Sequence, residues 1–253
     1  MKSSIGCFFL DTCILISEIL NENNPRIQKL KKDAAFHDVR CYVSDSVEKE
    51  TEKKVKETTD FLGNAIKDTL CIHLVESRKG RKIPIPDPMT NDDIKALEEL
   101  FYGFQTAVRK SGIALPNPLS SIEEWVISYL SEKLDEGRKI GIDEFAVDLV
   151  KSILKLTGSI QDSYDYLISF EKGFVKKRSV ILNPKTVYDV DMLGVHNLDS
   201  EHIASAVENQ RNSSEKTAFV TLDFSTILSK CDNIRTTLGI ECCDPLYALH
   251  HLL

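Results

Sequence analysis

The sequence predicts an α/β fold with a central parallel sheet, and three observations carry that prediction. Short, continuous apolar runs occur near both ends of the chain, of the kind found in strands buried on both faces of a sheet. Each run is followed by a segment with apolar residues at helical spacing. The middle of the chain repeats the helical spacing without any strand signal.

The first candidate strand is Ile5–Leu10, closed by Asp11 and Thr12. Ile14, Leu15, Ile16 and Ile19 follow at helical spacing. A second candidate strand is Val39–Ser44. After it a charged helix is expected from about Ser46 to Lys67, burying Val47, Val55, Phe61, Leu62 and Ile66. Near the C-terminus, Ala218–Leu222 reads as a strand that ends at Asp223, and Leu238–Cys242 as the last strand. Pro245 then opens a short helix over Leu246–Leu252. In between, residues 91–110, 121–136, 143–156 and 160–174 read as helices. Pro116 and Pro118, Gly137 and Gly141, and Thr157-Gly158 separate them, while Ser77–Pro88 is a loop by its glycine and proline content. Roughly residues 75–180 therefore read as an all-helical insertion.

The 253 residues, 42% of them hydrophobic, suffice for a sizeable core. A net charge of −7 excludes nucleic-acid binding through overall positive charge, so such contact would need a local basic patch or bound cations. The N-terminal apolar run is broken by Asp11 and Glu18, so it reads as neither a signal peptide nor a membrane span. Seven cysteines without a C-x-x-C pair suggest reduced, mostly buried thiols and a cytoplasmic location. Cys242 and Cys243 read as packing residues.

Four acidic residues stand out by position: Asp11 and Asp223 at strand ends, Glu50 and Asp199 in the first turns of helices. In a parallel sheet the carboxyl ends of the strands share one edge, and ligands bind in the crevice there. Carboxylates gathered at that edge repel one another unless divalent cations neutralise them. A cation so placed can polarise a phosphodiester, activate water and steady a leaving oxygen. Singly, each residue has a plainer reading. Asp11 and Asp223 fit helix caps, and Glu50 sits among Glu48, Glu52, Glu57 and several lysines on a solvated face. His202, without a partner histidine at ligand spacing, reads as a core or supporting residue. The inference rests on the set.

The set resembles the PIN-domain family. LDTCILI is similar to the family's opening strand and places its first acidic residue on Asp11. SDSVEKE resembles its Ser-x-x-(Val/Thr)-x-x-Glu element and selects Glu50 over Glu48. LDSEHIASAV resembles its Asp-x-x-His-(Ile/Leu)-Ala-x-Ala helix, which places the third carboxylate on Asp199. FVTLD is similar to its apolar-Val-Thr-x-Asp strand end, which places the fourth on Asp223 and a supporting hydroxyl on Thr221. The resemblance covers about residues 4–70 and 180–250. It implies a three-layer α/β/α PIN-like nuclease domain over 1–74 and 180–253, interrupted by the helical insertion at 75–179. It also implies a Mg²⁺- or Mn²⁺-dependent endoribonuclease that holds its ions on Asp11, Glu50, Asp199 and Asp223 and leaves a 5′-phosphate end. RNA is then the substrate. An antitoxin or other protein partner and a homodimer are compatible with the family, and no membrane is involved.

Within the insertion, Arg78, Lys79, Arg81 and Lys82 form a basic loop suited to phosphate contact, as does a second cluster of Lys172, Lys176, Lys177 and Arg178. Thr221 is assigned with the first of these to the substrate side. Solvated surface is the plainer reading of both clusters. Phe174 is the one obvious base-stacking candidate, although core packing suits it better, as it does Trp125 and Tyr129. A phosphatase of the haloacid-dehalogenase type is excluded because position 13 is Cys13, not Asp. A dinucleotide fold is excluded because Asp-Thr-Cys stands where a glycine-rich turn belongs. The alternative from another class is a non-catalytic PIN-type scaffold that binds RNA or protein.

Overall fold

The computed structural model describes residues 5–20, 24–66, 128, 132, 142–168, 174–196, 198–213 and 215–248. Met1–Val55 and Ser163–Leu253 form one compact unit, and Lys56–Asp162 form a second. The basic loop of Arg78, Lys79, Arg81 and Lys82, the helices expected over 91–110 and 121–136, and Trp125 and Tyr129 lie outside the described residues.

The first unit holds a five-stranded, all-parallel sheet: β1 (Cys7–Leu10), β2 (Arg40–Val43), β3 (Val175–Lys177), β4 (Thr217–Val220) and β5 (Glu241–Cys243). Their order is β3-β2-β1-β4-β5. The chain builds outward from β1 in one direction, then returns to build outward in the other, so β1 and β4 flank the point where the order reverses. Such a point opens a crevice at the carboxyl ends of the strands.

Helices connect the strands. α1 (Thr12–Leu20) and α2 (Pro25–Phe36) lie between β1 and β2, and α3 (Asp45–Ile66) and α4 (Ile142–Ile168) between β2 and β3. α5 (Pro184–Asp191) and α6 (Leu198–Ser213) precede β4, α7 (Cys231–Leu238) precedes β5, and a single turn, α8 (Pro245–Tyr247), follows it. Gly239, at φ 71°, ends α7 in the left-handed conformation that favours glycine.

Alternate side chains of each strand point to opposite faces. Phe9, Tyr42, Phe219 and Cys242 align across the sheet and pack with Val190 of α5, Ile203 and Val207 of α6, and Ile234 and Leu238 of α7. The intervening Phe8, Leu10, Cys41, Val43, Ala218, Val220 and Cys243 are buried on the opposite face, where α1 and α2 bury Ile14, Leu15, Ile27 and Leu30. Two covered faces explain why the strands read as unbroken apolar runs, and they make the fold a three-layer α/β/α arrangement. Cys242 and Cys243 fill core positions on opposite faces, and the six described cysteines are all free thiols. No helix among the described residues is long and apolar enough to cross a membrane.

Two expectations need correction. β3 falls inside the range assigned to an all-helical insertion. The sequence Val-Lys-Lys at a sheet edge has one buried and two exposed positions, which leaves no apolar run to detect. The helices expected at 143–156 and 160–174 are, over the described residues, a single helix, α4, that passes through Thr157-Gly158. One glycine in a helix costs only about 1 kcal/mol, which a 27-residue helix absorbs.

Candidate metal centre at the switch point

Asp11 directly follows β1, and its backbone N–H still donates to Val220 O of β4 at 3.0 Å. The ladder thus fixes it between the two strands at the reversal. Its carbonyl accepts from Ile14 N at 3.0 Å and starts α1, so it does serve as a helix cap with its backbone. The side chain does something else. Oδ1 accepts from Thr12 N at 2.7 Å and from His202 Nδ1 at 3.3 Å. Oδ2 accepts from the Thr221 hydroxyl at 2.7 Å and the Cys13 thiol at 3.0 Å. Burial alone would push the pKa of Asp11 up. The bonds from His202, Cys13 and Thr221 outweigh it, and the carboxyl lies below its ordinary range.

Glu50 reaches the same place from the second turn of α3, a helix that begins just after Ser44. Ser44 Oγ caps it by accepting from Val47 N at 3.3 Å. Glu50 Oε2 accepts from the Thr12 hydroxyl at 2.6 Å, and Oε1 pairs with Lys54 Nζ at 2.8 Å. Burial lowers the pKa of Lys54, but Glu50 and then Asp11 raise it further, leaving it above its ordinary value. Glu48 instead pairs with Lys177, which separates the two glutamates as the motif does.

Asp199 stands in the first turn of α6. One oxygen of Asp199, one of Asp11 and one ring nitrogen of His202 lie within 4.8 Å of one another. Burial raises the pKa of Asp199, and the negative charges of Asp11, Glu50 and Asp223 raise it further, against the opposing pull of His202. All four expected carboxylates therefore act on one spot, although only Asp11 and Asp199 belong to the tight group.

Asp223 sits differently. Its Oδ1 accepts from Ser225 N, Ser225 Oγ and Thr226 N, each at 2.9 Å, which closes the loop after β4. Burial raises its pKa, but the bonds from Thr226 and Ser225 prevail and hold it below the usual range. The capping role anticipated for Asp223 is present, alongside its field on Asp199.

Thr221 is fully buried. Its hydroxyl donates to Asp11 and accepts from Asp223 N at 3.0 Å. It positions two of the carboxylates and has no surface to offer a substrate, which corrects its assignment to the substrate side. Of the second basic cluster, Lys177 pairs with Asp45 and Glu48, and Arg178 pairs with Glu215 and lies 4.8 Å from the Tyr42 ring centroid. Phe174 carries Lys31 over its ring at 5.6 Å. These are packing and surface roles, while Lys172 lies outside the described residues.

Two residues entered the site without being assigned to it. Cys13, two places after Asp11, bonds Asp11 and accepts from Leu222 N at 3.1 Å; burial and the adjacent Asp11 charge hold its thiol far above the usual range, so it stays protonated. His202 is fully buried, with Nε2 lying 3.5 Å from Glu50 Oε2 and making no hydrogen bond among the described residues. Its spacing after Asp199 was the available signal: three residues on along a helix lies on the same side.

Beside Glu50, a groove of about 320 Å³ runs between α3, α6 and the segment after β3. Lys49 and Lys53 line it along with Val180, Leu182 and Leu198. The donor set of the centre fits a divalent ion. It consists of hard carboxylate oxygens, crowded enough to raise one pKa, and a buried nitrogen left without a hydrogen bond. No protein-family model matches the chain, and neither a curated protein nor a solved structure does.

Proposed function

We propose that the chain is a divalent-metal-dependent endoribonuclease, with its centre at the β1–β4 crevice. The observation that carries the metal-dependent part is the meeting of Asp11, Asp199 and His202 within 4.8 Å, with Glu50 and Asp223 close enough to raise Asp199. The resemblance of the four motifs to the PIN family supports RNA as the substrate.

Asp11, Glu50, Asp199 and Asp223 would hold Mg²⁺ or Mn²⁺. When bound, such an ion supplies Lewis-acid polarisation of the phosphate and lowers the pKa of a coordinated water. The chain supplies the rest. Thr221 and Thr12 fix Asp11 and Glu50 by short hydrogen bonds, so the ligands are set before substrate arrives. Lys54 places a cation on Glu50 and limits the repulsion within the cluster. Lys49 and Lys53 line the adjoining groove together with Asp45, Glu50 and Glu201, so a phosphate backbone there would depend on bound cations as well as on the lysines. Phe224, 75% exposed and next to Asp223, offers a ring on which a base can stack.

The test is cleavage of generic single-stranded RNA and DNA with Mn²⁺, with Mg²⁺ and with EDTA, using Asp223→Asn as the inactive control. Metal-dependent cleavage of RNA at internal positions is expected. A wild-type protein that binds Mn²⁺ and cleaves neither polymer would move the reading to a metal-binding scaffold, and one that binds no metal would end it.

A further inference from the structure

We infer that His202 is itself a ligand of the ion, through Nε2, and that this nitrogen gives the centre a preference for transition ions over Mg²⁺. The inference rests on the metal-dependent reading above and adds to its carboxylate site a donor of a different kind.

The argument starts from the two ring nitrogens. Nδ1 lies 3.3 Å from Asp11 Oδ1. An ionised carboxylate only accepts, so Nδ1 carries the proton in that bond. In neutral imidazole the proton then leaves Nε2 as a bare lone pair. Nε2 is fully buried and has no hydrogen-bond donor among the described residues. It faces Glu50 Oε2 at 3.5 Å. A lone pair facing a carboxylate oxygen is repulsive, and burial removes the water that would relieve it. A proton on Nε2 or a metal cation between the two removes the conflict, and a bound ion takes the proton's place. Two ligands bound to one ion at about 2.1 Å, at angles between octahedral and tetrahedral, lie about 3.0–3.5 Å apart. The observed separation needs almost no adjustment.

The surroundings match the habits of ligating histidines. Such a residue donates its other N–H to a carboxylate, which fixes the ring and strengthens the donor nitrogen. Asp11 plays that part here. The two oxygens of Asp11 already accept four donors, from Thr12, His202, Thr221 and Cys13. Asp199, one helical turn before His202, brings an oxygen within 4.8 Å of a ring nitrogen of His202 and of an Asp11 oxygen. Imidazole favours later first-row ions, whereas Mg²⁺ demands hard oxygens and keeps its waters.

The wild-type protein loaded with Mn²⁺ gives the first test, because it needs no substitution at a buried position. Electron spin-echo modulation should show a nitrogen bound directly to Mn²⁺, and labelling histidine with ¹⁵N should move the signal. The second test is His202→Asn, whose amide keeps an N–H near the Nδ1 position but has nothing at Nε2. Calorimetric affinities for Co²⁺ and Mg²⁺ should show the Co²⁺/Mg²⁺ preference falling by on the order of tenfold or more in this variant. Bound Mn²⁺ without a nitrogen signal in the wild type would overturn the inference while leaving the carboxylate site intact. So would a folded His202→Asn protein with unchanged metal preference, since His202 would then act only by holding Asp11. Failure of the wild type to bind Mn²⁺ would remove the parent reading and this one together. If His202→Asn does not fold, the wild-type spectrum alone decides.

Discussion

Replacing Asp223 with Asn separates the capping role that the structure shows for this side chain from the metal role proposed for it. As a cap, Asp223 needs only an acceptor: Oδ1 takes three bonds from Ser225 and Thr226, each at 2.9 Å. Asn keeps that oxygen and caps about as well as Asp, so the fold should lose less than about 1 kcal/mol. Ala has no acceptor and should cost about 1 kcal/mol, within a range of roughly 0.5–2. For a chain of this size that is a fall in Tm of about 2–4 °C. As a metal residue, Asp223 needs its charge, which Asn removes. A unit charge about 5 Å from a divalent ion contributes about 1.7 kcal/mol even in a water-like dielectric, or roughly fifteenfold in Kd. The assay is calorimetric titration with Mn²⁺ and initial rates of RNA cleavage for wild type, Asp223→Asn and Asp223→Ala, with thermal melts of each in EDTA. The expected pattern is a stable Asn variant and a less stable Ala variant, both with weakened Mn²⁺ binding and little activity. An Asn variant that binds Mn²⁺ and cleaves like wild type would show that Asp223 is a loop cap alone.

Asp11→Asn should behave unlike Asp223→Asn, because both of its oxygens are in use and an amide nitrogen would face donors; a loss of about 1–3 kcal/mol in metal-free urea unfolding is expected, and wild-type stability would contradict the hydrogen-bond set described. Asp199→Asn should have the opposite effect on the metal-free protein. The folded pKa of Asp199 is raised, so its contribution to stability is present below the unfolded value and lost as pH rises through the folded one. The advantage of Asn over Asp in EDTA melts should therefore grow from pH 4 to pH 7, and a constant difference would count against crowding of the carboxylates. In the wild type, Mn²⁺ at a hundred times its Kd should add about 2.7 kcal/mol at neutral pH and less at pH 4, where the ligands bind protons. Phe224→Ala should raise KM for single-stranded RNA, by about 1–3 kcal/mol for one stacked base, and leave Mn²⁺ affinity unchanged; an unaltered KM would make the exposed ring incidental.

The sheet was legible because β1 and β4 are buried along their whole length, Cys7–Leu10 and Thr217–Val220, and β2 and β5 follow Arg40 and Glu241 with buried apolar residues. β3 was not, because a three-residue edge strand of composition Val-Lys-Lys has no periodicity to read. α2 left a signal that went unused: Asn24 caps it, and Pro25 occupies the first position, where a missing N–H costs nothing. The four carboxylates could be named from their places at strand ends and helix starts, since the backbone determines those places. What each side chain does there could not. Whether Asp223 caps a loop or faces an ion depends on Ser225 and Thr226, and the link between Glu50 and α1 depends on the Thr12 rotamer. His202 has no second histidine at ligand spacing in the sequence. Its partners are Asp11, far away in sequence, and Glu50 on another helix, so no local pattern could reveal them.

The four carboxylates differ in how far the protein itself answers their charge. Asp11 accepts four donors, Glu50 pairs with Lys54 and Thr12, and Asp223 accepts the three bonds of its loop. None of the hydrogen bonds among the described residues ends on Asp199. It meets three like charges, and only His202 opposes them. The pKa shifts follow this division: Asp11 and Asp223 are held low by their donors, whereas Asp199 is raised. A cluster kept only for capping and packing would give each member its own partners, because an unanswered buried charge is expensive. Here the deficit is concentrated on one half-buried carboxylate, beside a fully buried nitrogen that also lacks a hydrogen bond. Both deficits lie at the one crevice that the strand order opens. A single divalent ion would meet them together, which is why the partnering of the side chains, beyond their mere proximity, favours a metal centre.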